Sequence, residues 1–168
     1  MAEGFVIKQD VLVPQHEYIR EYTGNNPARL FKLIPNEMQF LWQLETSMFF
    51  EDKIYWDRSG DPITFYGEWR GKIKNMADNF TTPWVKVNMQ GYQAAQTKIG
   101  TATIKIYPWL QTEFKYTNPL YNFLRYFYVK TLYQKQIHEF VKRQKEIAEK
   151  FDKAIREMFE VHHVGKEQ

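Results

Sequence analysis

The stretch that decides the fold lies in the middle of the chain, where residues 63–74 read ITFYGEWRGKIK. Apolar and charged side chains alternate along it. The apolar positions of one parity are Ile63, Phe65, Trp69 and Ile73, and the charged positions of the other parity are Glu68, Arg70, Lys72 and Lys74. Because successive side chains of a strand point to opposite faces, this pattern predicts a strand with one buried and one solvated face. Strands of this kind are typical of antiparallel sheets.

The alternation continues on both sides of this strand and predicts an antiparallel meander of about five strands over residues 45–117. Pro108 is expected to mark a kink between the last two of them. The apolar parity of the flanking strands carries Phe50, Ile54 and Trp56, then Val85, Val87 and Met89, then Ala102, Ile104 and Ile106, then Leu110, Thr112, Phe114 and Tyr116. We expect these side chains to share the buried face of the sheet.

The N-terminal quarter predicts a strand followed by short helices. Residues 4–13 are rich in β-branched side chains and a proline follows them, which is typical of a strand. Residues 15–44 predict two or three short helices in succession after the first strand. The first covers residues 15–22, the second begins at Pro27, and Pro35 is expected to break the second from a third.

The C-terminal quarter changes period. Residues 119–160 contain neither glycine nor proline after Pro119, and apolar side chains recur at i, i+3, i+4 and i+7. This predicts one helix of about 40 residues, roughly 60 Å long, or two helices joined by a bend. The stripe on the helix and the apolar face of the sheet are most simply buried against each other. We therefore predict an α+β fold in a single domain over residues 1–168, with a curved antiparallel sheet around a long C-terminal helix.

Composition excludes several classes of protein. The 168 residues carry a net charge of +3 and are 43% hydrophobic, which is typical of a folded chain and not of a disordered one. The absence of cysteine excludes disulfides, thiolate nucleophiles and cysteine-based zinc sites. The histidines, serines and glycines form no zinc, nucleophile-elbow or phosphate-loop motif. We predict no catalytic residues, no metal and no cofactor, and the balance is against an enzyme. No signal peptide and no long apolar run is present, so the expected location is the cytoplasm.

The aromatic content is high, because Phe, Tyr and Trp make up 17% of the chain. Aromatic side chains carry large apolar faces, and Tyr and Trp add a polar edge. Three explanations are open: a large aromatic core, an aromatic-lined cavity, or a surface that meets something apolar.

The order of strand, short helices, antiparallel meander and terminal helix resembles the START-like, helix-grip (SRPBCC) superfamily, which includes plant pathogenesis-related allergens, lipid-transfer domains and polyketide cyclase-like proteins. The resemblance is carried by the strand Phe5 to Val13, the helical pair around residues 25–27, the meander from Glu45 to Tyr116 and the helix from Pro119. It covers nearly the whole chain and rests on order and spacing. It implies a sheet that wraps the terminal helix, an apolar cavity between the two, and ligand binding without a shared catalytic triad.

The function expected from this resemblance is non-catalytic binding or transport of a hydrophobic or amphipathic small molecule, of the lipid or isoprenoid class, in the sheet–helix cavity. Asp52 shares the parity of the apolar side chains and would be a carboxylate that orients the ligand, unless a bulge turns it outward. The expected ligand-binding residues are Phe50, Asp52, Ile54, Phe65, Trp69, Val87, Met89, Ile104, Phe114, Tyr126 and Tyr133.

A second function stays open: an interaction module that uses the basic, aromatic start of the C-terminal helix. Residues 119–127 read PLYNFLRYF, and residues 119–145 contain six basic side chains and one acidic side chain. Such a helix suits an anionic membrane surface or a protein partner, including a second copy of the chain. Nucleic acid is the less favoured partner. The expected contact residues are Arg125, Lys130, Lys135, Lys142 and Arg143. A third and least favoured function is a cyclase or hydrolase that uses Asp52 with a tyrosine.

Overall fold

A computed structural model describes the backbone of residues 4–74, 76–115 and 119–164, and the side chains of residues 6–158 apart from positions 75, 114–122, 125 and 129. It shows an α+β fold with a curved antiparallel sheet. The strands are β1 (Gly4–Asp10), β2 (Tyr18–Asn25), β3 (Phe49–Asp57), β4 (Ile63–Lys72), β5 (Thr81–Gln93) and β6 (Ile99–Lys115). The helices are α1 (Leu30–Leu41), α2 (Pro119–Thr131) and α3 (Gln134–Val164), with 3₁₀ turns at Pro27–Arg29 and Thr46–Met48.

The sheet order is β3–β4–β5–β6, and β1 and β2 share the remaining edge of β6. The predicted helix over residues 15–22 is wrong, because β2 pairs with β6 from Tyr18 opposite Ile106 to Asn25 opposite Ile99. A local helical composition is a weak preference, and pairing along a long neighbouring strand outweighs it here.

The strand β6 is continuous, although two strands with a kink at Pro108 were predicted. The amide of Val11 donates to the carbonyl oxygen of Pro108 at 3.4 Å. The backbone polar groups of Pro108 therefore face the gap between β1 and β2. A proline at this position removes no hydrogen bond from the ladder to β5, so the strand continues through it.

The helix α1 is also continuous, although Pro35 was expected to break it. An internal proline removes one helical hydrogen bond and costs about 3 kcal/mol. Leu30, Ile34 and Met38 are spaced four residues apart and all three are buried. Burial of such side chains contributes about 1.5–3 kcal/mol each, which offsets the cost of the proline.

The inner face of the sheet confirms the predicted parity of β4, β5 and β6. Its side chains form one apolar cluster with those of α1 and α3, and the buried strand members include Phe65, Trp69, Val85, Val87, Met89, Ala102, Ile104 and Ile106. A Cβ at Gly67 would lie 2.3 Å from the Trp69 ring. The glycine therefore lets this indole pack flat against the backbone of its own strand.

The C-terminal helical region is two helices rather than one. The amides of Leu132 and Tyr133 both donate to the carbonyl oxygen of Tyr128, at 2.9 and 3.0 Å. The chain between α2 and α3 thus closes in a wide turn without glycine or proline. Tyr133 is buried against the sheet, so α3 begins at a fixed point and α2 lies on the far side of the break.

Candidate functional site

The expected cavity walls on the central strands are packed. Trp69, Val87, Met89 and Ile104 are each 0% exposed, and Phe65 is 2% exposed. A side chain that borders a space wide enough for a water molecule keeps some accessible surface, and these four keep none. The ring of Phe31 on α1, for example, meets Trp69 edge to face with the ring centres 5.1 Å apart. At these walls the structure shows core in place of a cavity.

The expected walls on β3 are divided between the two faces of the sheet by a bulge. Phe50 pairs with Arg70 on the outer face and Ile54 pairs with Gly67 on the inner face, and the register shifts between Glu51 and Lys53. One extra residue in a strand exchanges the faces of everything beyond it. Phe50 therefore points away from the interior in which it was expected, and Ile54 is inward in parity but half exposed at the sheet edge.

Asp52 is the extra residue of this bulge. Its carboxylate accepts a hydrogen bond from the guanidinium of Arg70 at 3.0 Å on the outer face. The predicted interior position of Asp52 is wrong. The alternative, a bulge that turns Asp52 outward, is confirmed. The ligand-orienting role and the acid–base role both depended on an apolar cavity that does not surround this carboxylate.

Tyr133 was expected to offer a hydroxyl to a ligand, and the structure places that hydroxyl in a closed network. It donates to the Oδ2 atom of Asp78 and lies 2.7 Å from the Oγ1 atom of Thr81, which lies 3.0 Å from that of Thr112. Burial, and then the hydrogen bond to Asp78, raise the pKa of Tyr133 above its ordinary value. These contacts fasten the start of α3 to β5 and β6. The side chains of Phe114 and Tyr116 lie outside the described residues.

Two polar side chains fasten the rest of α3. Gln144 is fully buried and accepts a hydrogen bond from the indole of Trp42 at 2.8 Å. Asp152 is buried and accepts two hydrogen bonds from Arg20, at 2.5 and 2.9 Å, and one from Arg156. Sequence reasoning missed the role of Arg20 because its segment was interpreted as a helix.

The outer face of the sheet carries a stacked aromatic layer that the sequence analysis did not identify. The guanidinium of Arg70 lies 5.4 Å from the ring centres of both Phe50 and Trp84. Trp84 stacks on Trp109 with the ring centres 5.8 Å apart and the planes 5° apart. Contacts of this kind stabilise a half-buried surface by about 0.5–1 kcal/mol each. The aromatic excess of the chain is thus used on both faces of the sheet.

At one edge of the stacked aromatic layer, the hydroxyl of Tyr107 forms a hydrogen bond with a carboxylate. Tyr107 stacks on Trp109 and donates its hydroxyl hydrogen to the carboxylate of Asp10. Burial, and then this hydrogen bond, raise the pKa of Tyr107 to about 12. His16 contacts the other oxygen of the same carboxylate at 2.6 Å. The contacts tie the β1–β2 connection to β6.

The helix α2 presents the largest group of exposed apolar side chains in the described part of the chain. Those on α2 and at the break after it are Phe123, Leu124, Tyr126, Phe127, Tyr128 and Leu132. Phe123 is 68% exposed and Phe127 is 61% exposed. The ammonium of Lys130 lies 5.4 Å from the ring centre of Tyr126. Tyr126 was expected in the cavity and is exposed instead.

The other expected contact residues are distributed along α2 and the first half of α3. Lys130, Lys135, Lys142 and Arg143 are exposed, and the side chain of Arg125 lies outside the described residues. Lys130 therefore lies beside the exposed rings of α2, whereas Lys135, Lys142 and Arg143 lie on α3, beyond the break.

A cleft of about 260 Å³ opens where the end of α1, the residue after β4 and the middle of α3 meet. Its apolar lining includes Leu41, Ile73 and Ile147, and its charged lining is Arg143, Glu146 and Lys150. No sequence signal pointed to it, because its walls come from segments about thirty and seventy residues apart that only folding brings together.

Comparison with known proteins adds little to these observations. No family model matches the chain, and no curated protein matches it. Among solved structures, the chain is similar to an uncharacterized protein from Rhizobium leguminosarum, with 9% identity, 88% of this chain and 99% of that chain covered, and a TM-score of 0.18. A TM-score of that size supports no argument about fold or function.

Within the described ranges, none of the helices combines the length and apolar character needed to cross a bilayer. The same residues contain no group of three or more His, Asp or Glu side chains placed to hold a metal ion.

Proposed function

We propose that this protein is an interaction module that docks α2 on the surface of an anionic membrane. The observation that carries the proposal is the exposure of the aromatic side chains of α2. A single exposed apolar residue is ordinary in a folded protein. A contiguous group of large ones marks a surface that another apolar phase covers.

The chemistry of the surface favours a lipid interface over a purely apolar partner. Tyrosine combines a ring with a polar edge, and such side chains concentrate at the level of the lipid headgroups. Tyr126 and Tyr128 are both exposed beside Phe123 and Phe127. The rings would enter the boundary between headgroups and acyl chains while the hydroxyls stay hydrated.

The charge of the segment favours anionic lipids. The residues of α2 include no aspartate or glutamate, and six basic residues against one acidic residue occupy positions 119–145. Each lysine or arginine near an anionic surface contributes about 1 kcal/mol of attraction. Lys130 and Lys135 flank the break between the helices and are both exposed.

The length of α2 favours a position in the plane of the interface. Its 13 residues extend about 20 Å, whereas a helix needs about 20 residues to span the hydrocarbon core. The buried Tyr133 fixes the following helix to the sheet. The body of the protein would therefore remain outside the membrane with α2 held against it.

We also propose the helix-grip architecture and the START-like relationship that the resemblance implied. Two arrangements support them: the first strand pairs with the last strand of the meander, and α3 contributes Ala148, Phe151 and Ile155 to the core that covers the inner face of the sheet. Because the side chains around Trp69 are fully buried, we infer that the space between the sheet and the helix is filled by the protein's own side chains.

Vesicle flotation tests the membrane proposal. We expect the protein to float with vesicles of phosphatidylcholine and phosphatidylserine, to float much less with phosphatidylcholine alone, and to be released as salt screens the charges. The double variant Phe123→Ala, Phe127→Ala should lower the bound fraction at least about tenfold through lost apolar contact. Lys130→Glu should lower it by a similar factor.

The matched controls change equivalent side chains elsewhere on the surface. Phe40→Ala removes an aromatic side chain on α1 that is 76% exposed, and Lys32→Glu reverses an exposed charge on the same helix. Both should float like the unchanged protein. Failure of the unchanged protein to float would contradict the proposal. So would light scattering that shows a dimer dissociated by the double variant without any vesicle binding, because α2 would then be a self-association surface.

A further inference from the structure

We propose that the cleft between α1, β4 and α3 binds a small amphipathic anion with one carboxylate and a short hydrocarbon chain. This site is separate from the aromatic surface of α2. Its volume of about 260 Å³ lies just below the range of about 300–1,000 Å³ that is usual for drug-sized ligands. A short chain therefore fits it better than a phospholipid.

The floor of the cleft is apolar and comes from three elements. Leu41 lies at the end of α1, Ile73 follows β4, and Ile147 lies on α3. Ile73 is buried, and Leu41 and Ile147 are partly exposed. A hydrocarbon chain laid along these side chains would cover apolar surface that is now open to solvent, which is favourable by about 25 cal/mol per Å².

The rim of the cleft carries three charged side chains. Arg143, Glu146 and Lys150 lie on one face of α3 at spacings of three and four residues, and the two cations are about 10 Å apart along the axis. In the described part of the chain, none of the three makes an ion pair or a side-chain hydrogen bond. Further along the helix, by contrast, Lys153 pairs with Glu157 and Arg156 pairs with Asp152.

The count of charges selects a monoanion. Two cations and one carboxylate leave the rim with one positive charge. One further carboxylate would balance it, whereas a doubly charged phosphate would leave an excess negative charge beside Glu146. A guanidinium or an ammonium that reaches the ligand carboxylate would form a charge-assisted hydrogen bond with it, worth about 1.5–3 kcal/mol.

Titration with sodium decanoate below its micelle concentration tests the site, with two observables. Chemical shifts of backbone amides should change around residues 41–43, 73 and 143–150, and the fluorescence of Trp42, which lines the cleft, should change with the same dissociation constant. Arg143→Gln and Lys150→Gln should each weaken binding about tenfold. Lys142→Gln and Lys145→Gln, on the same helix but outside the lining, should leave it unchanged within about twofold.

Two further probes separate the parts of the proposal. Decanol, which lacks the charge, and inorganic phosphate, which lacks the chain, should both bind at least about tenfold more weakly than decanoate. The double variant Phe123→Ala, Phe127→Ala should bind decanoate normally, so failure of the membrane proposal leaves this one standing. Equal binding of decanol, shifts confined to α2, or rim variants that bind like the unchanged protein would each overturn the proposal.

Discussion

The helices α2 and α3 come from one stretch without internal glycine or proline. The apolar stripe of α3 is buried, whereas the described apolar side chains of α2 are exposed. On α3, four apolar side chains are buried and Phe151 is 0% exposed, although the helix is rich in charge; the buried ones are Ile137, Ala148, Phe151 and Ile155. The side chains of α2 are more apolar and aromatic on average, and Phe127 is 61% exposed. The comparison teaches that the spacing of apolar side chains, and not their number, determines which helix packs on the sheet.

The spacing explains the difference in physical terms. On α3 the buried positions Ile137, Gln144, Ala148, Phe151 and Ile155 follow steps of three, four and seven residues, so they form one stripe. On α2 the described rings of Tyr126, Phe127 and Tyr128 succeed one another directly, so at about 100° per residue they do not form one narrow stripe. One sheet face can cover only one side of such a helix, so the rings on its other sides stay exposed.

The comparison predicts the largest loss of stability when a core ring is removed from α3. Phe151→Ala should lower the free energy of unfolding by about 3–5 kcal/mol, because it removes a fully buried side chain and leaves a cavity next to Trp42, whose ring centre is 5.1 Å away. Chemical denaturation measures the change. A loss below about 1 kcal/mol would mean that α3 does not pack on the sheet as described.

The next effect concerns the buried carboxylate that joins α3 to β2. Asp152→Asn should lower the free energy of unfolding by about 1–3 kcal/mol, because Arg20 and Arg156 lose the negative charge that they share and one of its two acceptor atoms becomes an amide donor. We expect less than the loss of a fully buried pair, since the side chain of Arg20 is 31% exposed. Glu157→Gln is the matched control on the same helix. Its pair with Lys153, at 3.6 Å on the surface, should contribute at most about 0.5 kcal/mol.

The parity of the central strands could be predicted from the sequence because each strand has one consistently apolar face. The inward positions of β4, β5 and β6 are confirmed from Phe65 to Ile106. The same reasoning failed at β3, since the bulge between Glu51 and Lys53 changes the parity within a strand whose residues alternate poorly. Only the partner strand shows where the extra residue lies.

The errors at the N-terminal end have a different cause. The segment of β2 is short, and its aromatic and β-branched side chains fit either period, so the long neighbour β6 determines its structure. At Pro35 the local signal predicted a helix break, but the helix continues because Leu30, Ile34 and Met38 are buried against the core. Local preference decides little where a segment has extensive contacts with the rest of the fold.

The candidate sites were predictable to unequal degrees. The aromatic and basic composition of α2 is a property of adjacent residues, and the sequence analysis identified it directly. The cleft beside α3 and the stacked layer around Trp84 depend on residues from distant segments. Their existence follows from the register of the strands and the approach of the helices, which composition and spacing do not determine.

A smaller effect concerns Tyr133, where α3 begins. Its folded pKa is raised by burial and by Asp78 above the ordinary 10.0, so the unfolded chain loses this proton first as the pH rises. The contribution of this hydroxyl to the free energy of unfolding should be fully present below about pH 10 and should decrease as the pH rises further. Tyr133→Phe should cost about 1 kcal/mol at neutral pH through the lost hydrogen bonds, and should show a shallower decline above pH 10. The pKa values of Tyr107, and of Tyr66 on β4, are raised to about 12, and these two groups contribute equally in both proteins. Identical slopes would contradict the role given to Tyr133.

The smallest effect is predicted for the helix with the most exposed rings. The double variant Phe123→Ala, Phe127→Ala should change the free energy of unfolding by at most about 0.5 kcal/mol, since neither ring is covered in the folded protein and alanine favours the helix. The denaturant dependence should also stay the same, because no additional surface is exposed on unfolding. A loss above about 1 kcal/mol would show that α2 packs against the body in solution, and its rings would then be unavailable to a membrane. If the double variant unfolds with an unchanged free energy but no longer binds vesicles, the rings of α2 serve binding. If it loses stability, they belong to the packed interior instead.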